Sequence, residues 1–174
     1  MQATARRKLP FRSVNRRDAP GFQPEMQRHH LLPRQLFFKP CFAKLIEAVG
    51  NDRLGYDDFR RNGLLLPATE DAAFSACLPL HRGPHRAYNE LVMERFGQIE
   101  ARWSRLHRHA PEAALGEALM RLDLLRNALR NKLLNVGTRP YRLNRHDPLG
   151  KGLDFAELDA MADALWASSN WTRH

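Results

Sequence analysis

Apolar residues recur along this chain at two periods, and each period marks a different kind of element. Phe42, Leu45, Ile46 and Val49 follow the i, i+3, i+4, i+7 spacing that lays one stripe of an α-helix against a core. Residues 40–49 are therefore expected to be helical, with Gly50 as the C-terminal cap. Tyr88, Leu91, Val92, Phe96 and Ile99 repeat the helical period after Pro84, a residue suited to a first helical turn. Leu115, Leu119, Leu122, Leu125, Leu129 and Leu133 place a third helix within 112–134, its leucine stripe read as one wall of a core. Residues 155–166 give a last amphipathic helix capped by Asp154. The polar stretch 53–61 has room for one helical turn, and Thr69-Glu70-Asp71 opens another.

Two shorter apolar runs end in proline. His30-Leu31-Leu32 before Pro33 and Leu64-Leu65-Leu66 before Pro67 read as short strands, because proline disfavours helix in the residue before it. Asn62-Gly63 is a turn dipeptide leading into the second run, and the two runs are expected to pair. Gly137-Thr138-Arg139-Pro140 breaks the third helix, and 144–152 reads as loop. The fold class is α+β, mostly helical, with short strands among the helices.

Composition adds a partner to this picture. At 174 residues the chain is one domain with a sizeable core, and 43% hydrophobic with 27% charged residues is ordinary for a globular protein. Residues 1–24 differ: Arg6, Arg7, Lys8, Arg12, Arg16 and Arg17 alternate with Pro10, Pro20 and Pro24 and show no apolar period. They read as a basic, flexible arm ahead of a domain at 25–174, either touching phosphates or serving as a solvated linker. The net charge of +9 and the excess of arginine over lysine point to a polyanionic partner, since the guanidinium fork suits phosphate. General solubility or codon bias is the bland alternative. Cys41 and Cys77 form no C-x-x-C pair, so a disulfide framework and a thiolate zinc knuckle are excluded in favour of core thiols. No apolar run reaches membrane-spanning length and no signal-peptide core opens the chain, so the expectation is a soluble protein, cytoplasmic or exported by separate machinery.

The candidate chemistry lies in the histidines. His29 and His30 are adjacent, and His81 and His85 follow downstream at a spacing of four. Neutral imidazole ligates zinc and, less selectively, nickel, cobalt and manganese, and three protein ligands leave a position open for substrate. Pro84 implies that His81 sits just before the helix that His85 opens. Neighbours on a strand point to opposite sides, so one of His29 and His30 is expected to bind metal and the other to act as a general base. With a basic surface, the combination reads as a one-metal phosphodiester hydrolase.

The order of these blocks resembles a known family. His29-His30-Leu31-Leu32-Pro33, then Asn62-Gly63-Leu64-Leu65-Leu66-Pro67, then Leu78-Pro79-Leu80-His81-Arg82-Gly83-Pro84-His85-Arg86-Ala87-Tyr88-Asn89 are similar to the AHH nucleases of the His-Me finger (HNH, endonuclease VII) superfamily. The likeness covers about residues 27–96, leaving 97–174 as a helical extension. It implies a ββα-metal motif, His30 as general base, and His29, His81 and His85 as ligands of one divalent ion, Zn, Mg, Mn or Ni. The nuclease colicins share this order. Asn62 is implied either to fix the hairpin and orient His30 or to bind the metal, and His81 either to bind the metal or to contact phosphate. Arg82 and Arg86 are implied phosphate contacts, with Arg28 behind them. Arg28 stands where the family has alanine, a change of shape and charge beside the pair. Tyr88 is expected to support a ligand, touch DNA or be buried in the core, and His107, His109, His146 and His174 to be surface residues. The resemblance implies an endonuclease cleaving DNA, or RNA, with little sequence preference. It further implies a bacterial toxin or effector delivered by separate machinery without a signal peptide and held by an immunity protein, expected here to be acidic, with a prophage or DNA-processing nuclease as the alternative. Two competing readings are a non-catalytic nucleic-acid-binding protein with a structural metal, disfavoured by the missing cysteines, and a small-phosphoester hydrolase, which leaves the basic surface unused.

Overall fold

The computed structural model of the protein describes residues 7–82, 85–134, 142–143 and 156–170. In chain order the elements are a 3-10 turn (Phe11–Ser13), β1 (Met26–His30), two more 3-10 turns (Arg34–Phe38 and Pro40–Phe42), α1 (Ala43–Val49), α2 (Asn51–Leu54), α3 (Phe59–Asn62), β2 (Gly63–Pro67), α4 (Glu70–Ala76), β3 (Leu80–His81), α5 (Arg86–His107), α6 (Pro111–Leu134), β4 (Arg142–Leu143) and α7 (Ala156–Asn170). The class is α+β and mostly helical, as the apolar periods predict.

The long helices α5 and α6 pack as a hairpin and supply most of the core. Tyr88, Val92, Phe96, Ile99 and Trp103 line the buried face of α5 at steps of three and four, and Leu122, Leu125, Leu129 and Leu133 do the same on α6. The leucine stripe is therefore a core wall as expected, except that Ala114 and Ala118 take the buried positions in its first turns and Leu115 and Leu119 lie at the margin. α7 rests on α6, with Arg121 bonded to Asp163 and to the buried Glu117. Residues 144–152 and the expected cap Asp154 lie outside the described residues, as does the break at 137–140.

β1 and β2 pair antiparallel, from Met26 opposite Pro67 to His30 opposite Gly63. The first strand ends earlier than the proline pattern predicts. Leu31 and Leu32 are both buried, which alternation forbids, and they leave the ladder because Asn62 takes their N–H groups: the Leu31 N–H donates to its backbone carbonyl at 2.8 Å and the Leu32 N–H to its side-chain oxygen at 2.8 Å. Asn62-Gly63 is likewise not a tight turn. Asn62 closes α3, and Gly63 starts β2 with an extended φ of −122°. Glycine is required there by space: a Cβ would stand 2.3 Å from the Phe59 ring. Gly50 caps α1 with φ 77°, as expected.

The cysteines correct a second expectation. Neither is a core thiol; both are exposed. In the turn Pro40–Phe42 the phenyl ring takes the inward position, and Cys77 caps α4, a helix with no buried residue, in the left-handed region, φ 50°.

The basic arm expected at 1–24 is bound to the body from Leu9 onward. The Leu9 N–H donates to the Asp58 carboxylate at 3.2 Å, the Phe59 N–H to the Leu9 carbonyl at 2.7 Å, and the Phe11 N–H to the Asp57 carbonyl at 3.2 Å. Phe11 is buried, its ring edge-on to Phe59. Among the described residues no helix is long and apolar enough to cross a membrane.

Candidate functional site

Pairing of β1 with β2 sends the adjacent histidines apart. His29 points inward and is 1 % exposed, against the rings of His81, His85 and Tyr88, each with its centroid 4.9 Å away. His30 points the other way and lies between Phe11, stacked at 3.7 Å with 1° between planes, and Tyr56, at 4.9 Å and 16°. β3, paired in parallel with β4, carries His81, and His85 is the residue that precedes α5. Residues 83 and 84 lie outside the described residues.

Three imidazoles therefore converge from three elements. His85 Nε2 lies 3.1 Å from His29 Nδ1 and 3.3 Å from His81 Nε2, and all three nitrogens fall within 4.8 Å of one another. Nitrogen ligands of one tetrahedral ion at 2.0–2.1 Å stand about 3.3 Å apart, and the two separations from His85 match that spacing. The donor chemistry agrees. Burial holds His29 well below the ordinary histidine range, helped by His81, His85 and His30. Burial and then His85 bring His81 down to about 4, and burial lowers His85. Neutral imidazoles keep a lone pair for a metal. They cannot satisfy one another: a single proton on His85 Nε2 serves one neighbour only, and His29 Nε2 and His85 Nδ1 are buried with no partner among the described residues.

The surroundings orient the rings. Gln27 Oε1 lies 3.3 Å from His81 Nδ1, which places the proton there and leaves Nε2 facing the cluster. The Tyr88 hydroxyl donates to the Leu31 carbonyl at 2.8 Å, tying α5 to the end of β1 while its ring covers His29 and His85. Burial raises the Tyr88 phenol, so it stays protonated as a donor. Tyr88 is thus a buried support.

Asn62 is 0 % exposed and fully engaged. Its amide nitrogen donates to the carbonyls of Leu32 at 3.3 Å and Tyr56 at 3.2 Å while its oxygen accepts from the Leu32 N–H, so one side chain ties the chain just after His30 to the residue whose ring stacks on it. Arg130 on α6 anchors the same corner, donating to the carbonyls of Arg60 at 2.8 Å and Gly63 at 3.1 Å. Asn62→Ala leaves buried backbone groups unpaired and is expected to lower stability by about 3 kcal/mol. In thermal unfolding this reads as a Tm drop of roughly 6–12 °C; an unchanged Tm contradicts the clamp.

His30 itself is half-buried, and burial brings it down to about 4, with Asp57 pulling it upward and Arg28 and Arg34 pushing it further down. At neutral pH it carries no proton on one nitrogen and can accept one. Of the arginines singled out by sequence, Arg28 is exposed on β1 and donates to the Phe11 carbonyl at 2.8 Å, Arg82 is exposed beside His81, and Arg86 is exposed and paired with Glu90 at 2.7 Å. His107 and His109 are exposed, His107 stacking on Trp103, while His146 and His174 lie outside the described residues. Phe11, Tyr56, Gln27 and Asp57 are the site residues that sequence reasoning missed. Gln27 lies two residues before His29, but its contact with His81 spans 54 positions and has no local signal.

No curated protein and no solved structure matches the chain. The match to the model of the AHH family runs over residues 11–133, from the ring that covers His30 to the last turn of α6, and the chain belongs to that family, a nuclease family of the HNH/ENDO VII superfamily with conserved AHH.

Proposed function

We propose that this nuclease is a metal-dependent endonuclease that hydrolyses DNA phosphodiesters with little sequence preference, using His30 as general base and His29, His81 and His85 to hold one divalent ion. The observation that carries the reading is the divergence of two neighbours on β1: one histidine joins a three-imidazole cluster, and the other is held apart as a ring-stacked imidazole.

A divalent cation in the cluster supplies positive charge for the phosphate and for the departing oxygen. His30 accepts a proton from a water molecule, and the water oxygen forms the new bond to phosphorus as the sugar oxygen leaves and is protonated from solvent. Asp57 favours the imidazolium that results, and an approaching phosphate anion does so too. Asn62 is a positioning residue on this reading. Arg28 and Arg82 face solvent and can receive phosphate, and the exposed Arg86–Glu90 pair is weak enough to exchange for it. Arg28, where the family has alanine, has a second task that alanine lacks, holding the backbone of Phe11.

The net charge of +9 supports a nucleic-acid substrate and an acidic immunity partner, and with them the role of a delivered toxin or effector. A small acidic reading frame beside the gene is the corresponding genomic expectation.

Metal removal tests the activity. Supercoiled plasmid is expected to be nicked or linearised with a divalent ion present, to survive in EDTA, and to be cleaved again after the ion is restored. Cleavage unaffected by EDTA contradicts the mechanism, and cleavage confined to RNA moves the substrate. Phe11→Leu keeps an apolar side chain at the buried site but removes the stacked ring. It is expected to lower kcat about tenfold, roughly 1.4 kcal/mol in the barrier, with Phe11→Tyr restoring the rate; equal rates for all three contradict a role for the stack.

A further inference from the structure

The loop ahead of β1 is held in one shape by Asn15. Its amide nitrogen donates to the carbonyls of Gln23 at 2.9 Å and Met26 at 2.8 Å, and its oxygen accepts from the Gln23 N–H at 2.8 Å. Asn15 adopts a left-handed backbone, φ 48°, which asparagine tolerates better than most residues. Between this loop and β1 lies an open groove of about 600 Å³, lined by Arg12, Asn15, Arg16, Arg17, Gln27 and Arg28 among others.

The groove is strongly positive. Asp18 is the one acidic residue lining it, and Arg16 is bonded to that carboxylate. Arg12 and Arg17 are exposed and make no hydrogen bond or ion pair among the described residues, and Arg28 commits one nitrogen to Phe11. Its position also matters. Gln27 lines the groove and also meets His81 at 3.3 Å, so the groove opens beside the imidazole cluster.

We infer that this groove binds the backbone phosphates of the substrate strand next to the phosphate being cleaved, with Arg12 and Arg17 as the contacts. The inference rests on the nuclease reading above and adds to it the path of the strand. The loop is already ordered by Asn15, so little entropy is lost when a strand docks. Guanidinium contacts to phosphate fix the register of the strand and carry no sequence information, which fits cleavage without base preference.

The test is binding of a fluorescently labelled DNA duplex in EDTA, measured by anisotropy from 50 to 200 mM NaCl. The protein is compared with Arg12→Ser/Arg17→Ser and with Arg105→Ser/Arg108→Ser. The second pair removes the same formal charge at the far end of α5, roughly 30 Å of helix from the end that carries His85. Each lost phosphate contact lowers the slope of log K against log salt by about 0.9. The groove variant is expected to lose about 2 from that slope, to bind at least tenfold more weakly at 100 mM NaCl, and to raise KM for plasmid more than it lowers kcat. The distal variant is expected to keep the wild-type slope. Equal slopes in the groove variant and wild type, or equal losses in both variants, overturn the groove. A slope loss confined to the groove variant, together with a wild type that never cleaves when a divalent ion is supplied, overturns the nuclease mechanism and supports the groove.

Discussion

Changing His30 to alanine is expected to lower the rate of phosphodiester cleavage by about a hundred- to ten-thousandfold, the range that a positioned general base contributes, while leaving divalent-ion affinity unchanged. The two halves follow from one geometric fact. β1 sends the His29 ring into the cluster with His81 and His85 and the His30 ring between Phe11 and Tyr56. Alanine also empties the gap between two aromatic rings, so His30→Phe serves as the companion variant: it refills the stack and still lacks a proton acceptor. Both variants are expected to show that loss of rate and to bind zinc as wild type does. A variant that cleaves at the wild-type rate removes His30 from the mechanism. One that loses the ion places His30 among the ligands.

His29→Ala is expected to have the opposite signature. It removes one of three converging nitrogens, and metal affinity should fall by more than the roughly 100-fold upper range seen when an outer-shell partner is lost. Gln27→Ala, which removes only the partner of His81 Nδ1, should fall within about 10–100-fold. Thermal unfolding provides a second readout. Ion at a hundred times its Kd adds about 2.7 kcal/mol to the folded state, which for a domain of this size is a Tm rise of roughly 5–10 °C. Wild type and His30→Ala should show that rise, and His29→Ala should not. An equal rise in all three contradicts the cluster as the binding site.

What the chain discloses about itself depends on how local the physics is. Tyr88, Val92, Phe96 and Ile99 declare α5 because a helix repeats its environment every few residues. Proline-ended runs at Leu32 and Leu66 disclose paired strands, and the order of histidines discloses which blocks meet. The missed features are long-range. Phe11 lies in a segment of arginine and proline with no period, and its stacking on His30 arises only once Leu9 and Phe11 bond to the Asp57–Phe59 corner. Gln27 is an ordinary exposed strand residue until β3 brings His81 to it from 54 positions away. The pairing of β3 with β4 joins Leu80–His81 to Arg142–Leu143 across the whole α5–α6 hairpin, a distance over which short-range pattern carries no signal. The end of β1 was misplaced for the same reason, since the group that stops it is the side chain of Asn62, 30 residues further on.

The central claim is that His29, His81 and His85 hold one ion together, and X-ray absorption at the zinc K-edge of protein loaded with one equivalent tests it most directly. Three imidazole nitrogens at roughly 2.0–2.1 Å, with an oxygen completing the shell, is the predicted result. A shell with fewer than three imidazoles, or one containing sulfur, contradicts it.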